Sequence, residues 1–148
     1  MAASIPRWVQ KTVTLSKKKR GCHLIEKEVL AQLPEIRAFE IGLAHFFCTI
    51  SIVYISVQHT SAGLCLNENW DSDVLLDMND SFNRLVPDTQ KFRHNAEGPD
   101  DMPAHVVKTA LVGNEVTVPI TKGRLNTGIV DGLYLCEFRD KASARNVV

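Results

Sequence analysis

The sequence predicts an α+β domain, a mixed or antiparallel β-sandwich with short helices. Strand-like runs and helical stripes intermix without regular alternation, no repeat or linker divides the chain, and 148 residues with 45% apolar content suit one domain spanning 1–148. At this size folding buries about 68–70% of the unfolded surface, so stability needs neither a metal nor a disulfide scaffold.

Taken in order, Val9, Lys11, Val13 and Leu15 alternate with Gln10, Thr12 and Thr14 as a first strand would, and Lys17-Lys-Lys-Arg-Gly21 marks an exposed turn. Leu24, Ile25, Val29, Leu30 and Leu33 recur at helical spacing up to Pro34. Residues 36–66 read as strand throughout and predict the centre of the sheet. Asp71 or Ser72 caps a second helix whose stripe is Val74, Leu75, Met78, Phe82 and Leu85, ended by Pro87. A polar loop over 88–101 leads to a short third helix with Pro103 in its first turn and His105 beyond. Residues 115–120 (EVTVPI), a turn at Lys122-Gly123 and residues 133–138 (LYLCEF) predict a closing hairpin.

Charge excludes more than it selects. The 17 basic and 17 acidic side chains cancel, yet residues 1–58 sum to +4, residues 59–105 to −6 and residues 106–148 to +2. Without a basic stripe or interleaved aromatics, Lys17 to Arg20 reads as a solvated tip rather than a nucleic-acid contact. Residues 41–66 carry no charge, but their Ile, Val, Thr, Phe and Tyr content favours buried strands over a membrane span. The opening residues lack a charged segment followed by an apolar one, and the four cysteines are widely spaced; the expectation is free thiols and a cytoplasmic protein. Cys22 reads as structural, His45 as a satisfied core histidine, and Trp8 and Trp70 as packing or interface groups.

Chemistry concentrates in the acidic middle. His59-Thr60-Ser61 ends an apolar strand, and Asn67, Glu68, Asn69 and Asp71 precede a helix whose free N–H groups favour anions. His94 and His105 could converge on one ion if the loop between them folds back, although their spacing matches no standard zinc motif. Residue by residue the simpler account is favoured, with His59 a hydrogen-bonded strand histidine, Asp71 and Asp101 caps and Glu97-Gly98-Pro99 a turn; taken together, three histidines and several carboxylates within 47 residues favour a site. Phosphate loops, dinucleotide fingerprints and nucleophile elbows are absent from the sequence.

Arg20-Gly-Cys-His-Leu-Ile25, His59-Thr-Ser-Ala-Gly, Asn67-Glu-Asn, Glu97-Gly-Pro-Asp-Asp-Met-Pro-Ala-His105 and Tyr134-Leu-Cys-Glu-Phe-Arg139 resemble the YjbQ family over nearly the whole chain. That resemblance implies a YjbQ-like fold, a homotrimer, and secondary thiamine-phosphate synthase activity on small phosphorylated molecules. It further implies catalytic roles for His59, Glu68, Asp71 and Asp101, substrate contacts from Thr60, Ser61, Asn67, Asn69 and Arg139, and a divalent ion, zinc or magnesium, on His94 and His105. No nucleic-acid or membrane partner is expected. The second reading is a non-catalytic trimeric metal-binding or scaffold protein. Three departures stand out from the family pattern. Residues 46–54 look inserted, a second Val follows His105, and Gly128-Ile-Val-Asp-Gly132 stands where the pattern reads Gly-Thr-Trp-Gln-Gly.

Overall fold

A computed structural model describes residues 7–50, 61–141 and 143–148. Its strands form two antiparallel sheets. The larger runs β1-β8-β3-β5-β6, with β1 at Val13–Thr14, β3 at Ile41–Ile50, β5 at Glu115–Thr121, β6 at Arg124–Leu125 and β8 at Arg145–Val147. The smaller runs β2-β7-β4, with β2 at Gly21–Leu24, β4 at Ala62–Glu68 and β7 at Asp131–Glu137. Helix α1 covers Glu26–Gln32 and α2 covers Asp73–Leu85; a π-helical turn at Pro103–Lys108 continues into α3 at Thr109–Val112.

The expected α+β sandwich is present with one added layer. Strand β7 is buried on both faces, which is why LYLCEF reads as a continuous apolar run instead of alternating. Leu133 and Leu135 join Val13, Phe46, Val118 and Val147 between the sheets, while Tyr134, Cys136 and Phe138 face Leu75, Met78 and Phe82 of α2. Burying such side chains is worth about 1.5–3 kcal/mol each, and β7 contributes to both cores.

Several predicted elements shift. Of the expected first strand only Val13 and Thr14 form β1, opposite Val147 and Asn146, and the Leu15 N–H bonds the Arg145 carbonyl at 2.8 Å beyond them. Pro34 ends α1 as expected but then opens a 3-10 turn at Pro34–Ala38, so strand β3 starts only at Ile41. The closing hairpin is corrected: the Lys122-Gly123 turn joins β5 to the two-residue β6, whereas residues 133–138 lie in the other sheet between β2 and β4. Turn spacing could not reveal which sheet the later strand enters. His45 is not a core histidine; it projects from β3, half exposed, with Nδ1 2.9 Å from Thr117 Oγ1 and Nε2 3.6 Å from Glu115. Trp8 and Trp70 lie on the surface at 91% and 80% exposure, without packing partners in either core. Among the described residues no helix is long and apolar enough to cross a membrane.

Two departures from the family pattern find local explanations. Residues 46–50 of the apparent insertion are built into β3, pairing with β5 through Phe47 and with β8 from Cys48; residues 51–54 lie outside the described residues. A one-residue insertion in a helix is absorbed by widening one turn, and the extra Val falls inside the π-helical turn, where Thr109 Oγ1 donates back to the Ala104 carbonyl at 2.9 Å.

Candidate functional site

The β4–β7 ladder sets the geography. Ala62 pairs with Glu137 at one end and Glu68 with Asp131 at the other, so the two ends stand roughly 20 Å apart at about 3.4 Å per residue. The predicted site residues divide between them.

At one end the chain leaves β7 through Arg139, whose guanidinium gathers the 97–101 loop. Its Nη1 bonds Asp101 Oδ1, its Nη2 donates to the Glu97 carbonyl at 3.0 Å, and its Nε lies 3.2 Å from Asp100 Oδ2. Asp100 Oδ2 also accepts the Asp140 backbone N–H at 2.9 Å. This folding brings together His94, Glu97 and Asp101, whose ligand atoms lie within 4.8 Å of one another. Asp101 is 1% exposed, and its Oδ2 is buried without a hydrogen-bond partner. Buried carboxylate oxygens are normally satisfied, so this one marks an acceptor held open. One imidazole nitrogen and two carboxylates suit zinc or a harder divalent ion. Glu97, Asp100, Asp101 and Arg139 sum to −2, the charge a divalent cation neutralises.

Behind this loop lies a second set of ion pairs. Arg20 Nη1 meets Asp88 Oδ2 at 2.5 Å and its Nε meets Asp140 at 2.9 Å, so Arg20 is not part of a solvated tip. Lys108 is fully buried, donates to Asn83 Oδ1 at 2.9 Å and lies 5.9 Å from the Phe138 ring centroid. Burial, reinforced by Arg20, lowers its pKa despite Asp88.

Ser61 sits at the same end and is only 3% exposed, so it does not face a solvent-borne ligand. Its Oγ accepts from Arg145 Nη2 at 3.0 Å, and Arg145 in turn holds Glu137 through both nitrogens at 2.6 Å. His59 and Thr60 lie outside the described residues. His105 belongs to the helical segment after the loop but lies outside the three-residue cluster, in which Glu97 takes the place the sequence reading gave it. Glu97 was legible only as part of a turn; the signal it offered was its spacing of three before Asp100 and four before Asp101.

The remaining residues gather at the far end. Asn67 Oδ1 accepts the Glu68 N–H at 2.9 Å, Asn69 Nδ2 donates to the Asp131 carbonyl at 3.1 Å, and the Glu68 carbonyl accepts from Tyr134 Oη at 2.6 Å. Asp71 Oδ1 accepts the Asp73 N–H at 2.9 Å and so caps α2, while Ser72 makes no side-chain cap bond. These bonds tie the end of β4 to the 128–132 turn and to the start of α2.

All four cysteines are free thiols, as expected. Cys22 and Cys136 face each other across β2 and β7 with sulfurs 3.7 Å apart, and Cys65 lies 3.8 Å from Cys136. Both contacts and burial raise the Cys136 pKa, and burial raises Cys48 to about 11, so these two are held as packed thiols.

A family model described as UPF0047 protein YjbQ-like matches residues 11–148. The chain belongs to the YjbQ family. The UPF0047 protein YjbQ of Escherichia coli O157:H7 is 43% identical over 141 residues, 95% of each chain. The UPF0047 protein sll1880 of Synechocystis is 44% identical over 108 residues, 72% of this chain and 69% of its own. Among solved structures, a YjbQ/UPF0047 protein from Clostridium acetobutylicum superposes with a TM-score of 0.74 at 25% identity, covering 94% of this chain and 98% of that one. A conserved hypothetical protein from Thermus thermophilus gives 0.72 at 25% identity with the same coverage.

For a YjbQ-family chain, the altered 128–132 turn is accommodated locally. Asp131 opens β7, and the Asp131 N–H bonds the Gly128 carbonyl at 3.1 Å. A Cβ at Gly128 would come 2.2 Å from the Asp131 carboxylate, so a larger residue there would have to displace that side chain. Ile129 is fully exposed and Val130 39% exposed; the turn carries apolar surface where the family pattern has Trp and Gln.

Proposed function

We propose that this YjbQ-family protein is a divalent-cation-dependent transferase acting on small phosphorylated molecules, with the cation held by His94, Glu97 and Asp101. The observation that carries the reading is that ligand atoms of His94, Glu97 and Asp101 lie within 4.8 Å of one another, at a buried aspartate whose Oδ2 has no hydrogen-bond partner. Imidazole and carboxylates favour zinc, and magnesium is the alternative. A divalent ion in this position supplies charge neutralisation for a leaving phosphate.

The reaction proposed is that of a thiamine-phosphate synthase. The C–O bond of a pyrimidine diphosphate breaks, a C–N bond to a thiazole phosphate forms, and pyrophosphate leaves. Within this reading Arg139 is a positioning residue: its three contacts fix the 97–101 loop so that Asp101 presents one oxygen and keeps the other paired. His59 is the proposed proton-transfer group, and His105 is kept from the family resemblance as a further ligand of the ion. Glu68 and Asp71, with Asn67 and Asn69, belong to the other end of the β4–β7 ladder. A homotrimer would let that end serve a neighbouring subunit's pocket.

Metal content of protein purified without chelators tests the first step, and product formation from the two phosphorylated substrates tests the second. One bound ion per chain, lost in His94→Ala with the assembly intact, supports the reading; protein that takes up neither zinc nor magnesium at neutral pH overturns it. Bound metal with no turnover, and an assembly that falls apart on its removal, favours the non-catalytic scaffold. Light scattering checks the trimer against a chain mass of 16.5 kDa.

A further inference from the structure

A second concave site lies away from the His94 cluster and shares no residue with it. It is a pocket of about 580 Å³ between α1, the 3-10 turn and the β5–β6 hairpin. That volume falls within the range of small-molecule sites, about 300–1,000 Å³. Its floor is apolar: Leu30, Leu33 and Leu125 are half-buried and Ile36 is buried. Arg37, Lys122 and Arg124 stand around it, and Glu26 closes one wall. A second hollow of about 480 Å³ adjoins across the hairpin and shares Lys122, Arg124 and Leu125.

Three features separate this pocket from an ordinary basic surface. None of the three cations makes a side-chain hydrogen bond or ion pair with any described residue, while most other arginines of the chain are paired. Lys122 is also the sole non-glycine described residue with positive φ, at 51°. Gly123 follows at 70°, so the pair makes a two-residue hairpin turn whose geometry demands positive φ at both positions, where asparagine or glycine is the usual choice and lysine is not. The turn is fixed as well: the Lys122 and Gly123 N–H groups bond the Glu40 and Phe39 carbonyls at 2.7 and 2.8 Å. A Cβ on Gly123 would meet the Arg37 backbone at 2.9 Å, so Gly123 is what lets the hairpin seat against the 3-10 turn and bring Lys122 beside Arg37. Finally, Glu26 has a buried Oε2 without a hydrogen-bond partner.

We infer that this pocket binds a small organic phosphate whose apolar body carries a hydrogen-bond donor. The three cations take the phosphate, which holds close to two negative charges at neutral pH. The leucine floor takes the body, and Glu26 accepts from the donor. Bare phosphate leaves the floor uncovered, and a carboxylate offers one charge to three cations. This reading is independent of metal at the His94 cluster and stands if that site proves empty.

Titration calorimetry of the full chain with phenyl phosphate, inorganic phosphate, benzoate and 4-aminobenzyl phosphate tests the inference. Expected is saturable binding of phenyl phosphate at least about tenfold tighter than of inorganic phosphate or benzoate, since the phosphate and apolar contributions combine. The amine should tighten binding further, and Glu26→Gln should remove that gain alone. Arg124→Ala should weaken phenyl phosphate by about tenfold, the size expected for one lost charge-assisted contact. Lys122→Gly removes a cation while relieving the backbone, so its loss of binding cannot arise from unfolding. Lys17→Ala, on the opposite basic stretch, should change nothing. Equal affinity for all ligands, or equal effects of Lys17→Ala and Arg124→Ala, overturns the proposal. So does saturable binding of oligo-dT, lost in Arg124→Ala, with none of phenyl phosphate.

Discussion

Two arginine–carboxylate pairs lie within a few residues of each other at one end of β7, and they are built to opposite ends. Arg145 on β8 grips Glu137 on β7 through two bonds of 2.6 Å, spans the two sheets, and donates from Nη2 to Ser61 as well; both partners are at most 1% exposed. Arg139 holds Asp101 by one oxygen only and leaves the other buried and unpaired. The closed pair has both Glu137 oxygens bonded and is shut off from solvent. The open pair keeps an acceptor beside an imidazole and a second carboxylate. Asp88, paired with Arg20, also keeps a buried oxygen without a hydrogen-bond partner, so an open oxygen marks a candidate site only where further ligand groups stand beside its residue, as His94 and Glu97 do beside Asp101.

Breaking the closed pair should have the largest effect. Arg145→Ala strands Glu137 in the core and is expected to cost about 3–5 kcal/mol, measured by urea denaturation. Ser61→Ala leaves one Arg145 donor unsatisfied and should cost about 1–3 kcal/mol in the same assay. Asp101→Asn tests the open pair. Arg139 retains Asp100 and the Glu97 carbonyl, so stability should fall by less than about 2 kcal/mol, whereas zinc affinity should fall by about 10–100-fold. A stability loss equal to that of Arg145→Ala, with metal affinity unchanged, would make the two pairs alike and remove the distinction.

The smallest effect concerns a surface contact. Burial raises the Glu28 carboxyl, but the Ser16 backbone N–H and the Lys18 ammonium outweigh it and hold its pKa below the usual carboxylate value. A depressed carboxylate stabilises the fold above its unfolded pKa of 4.5, and that contribution is lost as pH falls through its folded value. Glu28→Gln should flatten the stability profile between about pH 6 and 3 by less than about 1 kcal/mol, as a partly exposed pair allows.

How much of this was legible depends on how local each feature is. The α2 stripe and Pro87, Pro34 after α1, and Asp71 at the start of α2 follow from 3.6-residue periodicity and capping chemistry, which involve neighbours along the chain. The assignment of residues 133–138 to a hairpin with β5 failed because sheet membership depends on partners far away: Cys136 pairs with both Cys22 and Gly63. His45 misled for a related reason, since an apolar run in a sheet with one open face buries only alternate residues.

The site divides in the same way. Histidines and carboxylates in the −6 segment predicted a cation site, and His94 and Asp101 do converge, since they lie seven positions apart on one loop. Local spacing could not show that Arg139, 38 residues further on, ties that loop down, nor that the exposed Glu97 lies beside His94 and Asp101. It equally grouped Glu68 and Asp71 with Asp101, though the length of β4 keeps them at opposite ends. By itself the sequence determined composition, family and the short-range elements, because periodicity, capping and motif chemistry act between near neighbours. Tertiary structure alone decided which sheet each strand joined, which ion pair was closed, and which carboxylate was left open, because those depend on burial, and burial is set by groups brought together from across the whole chain.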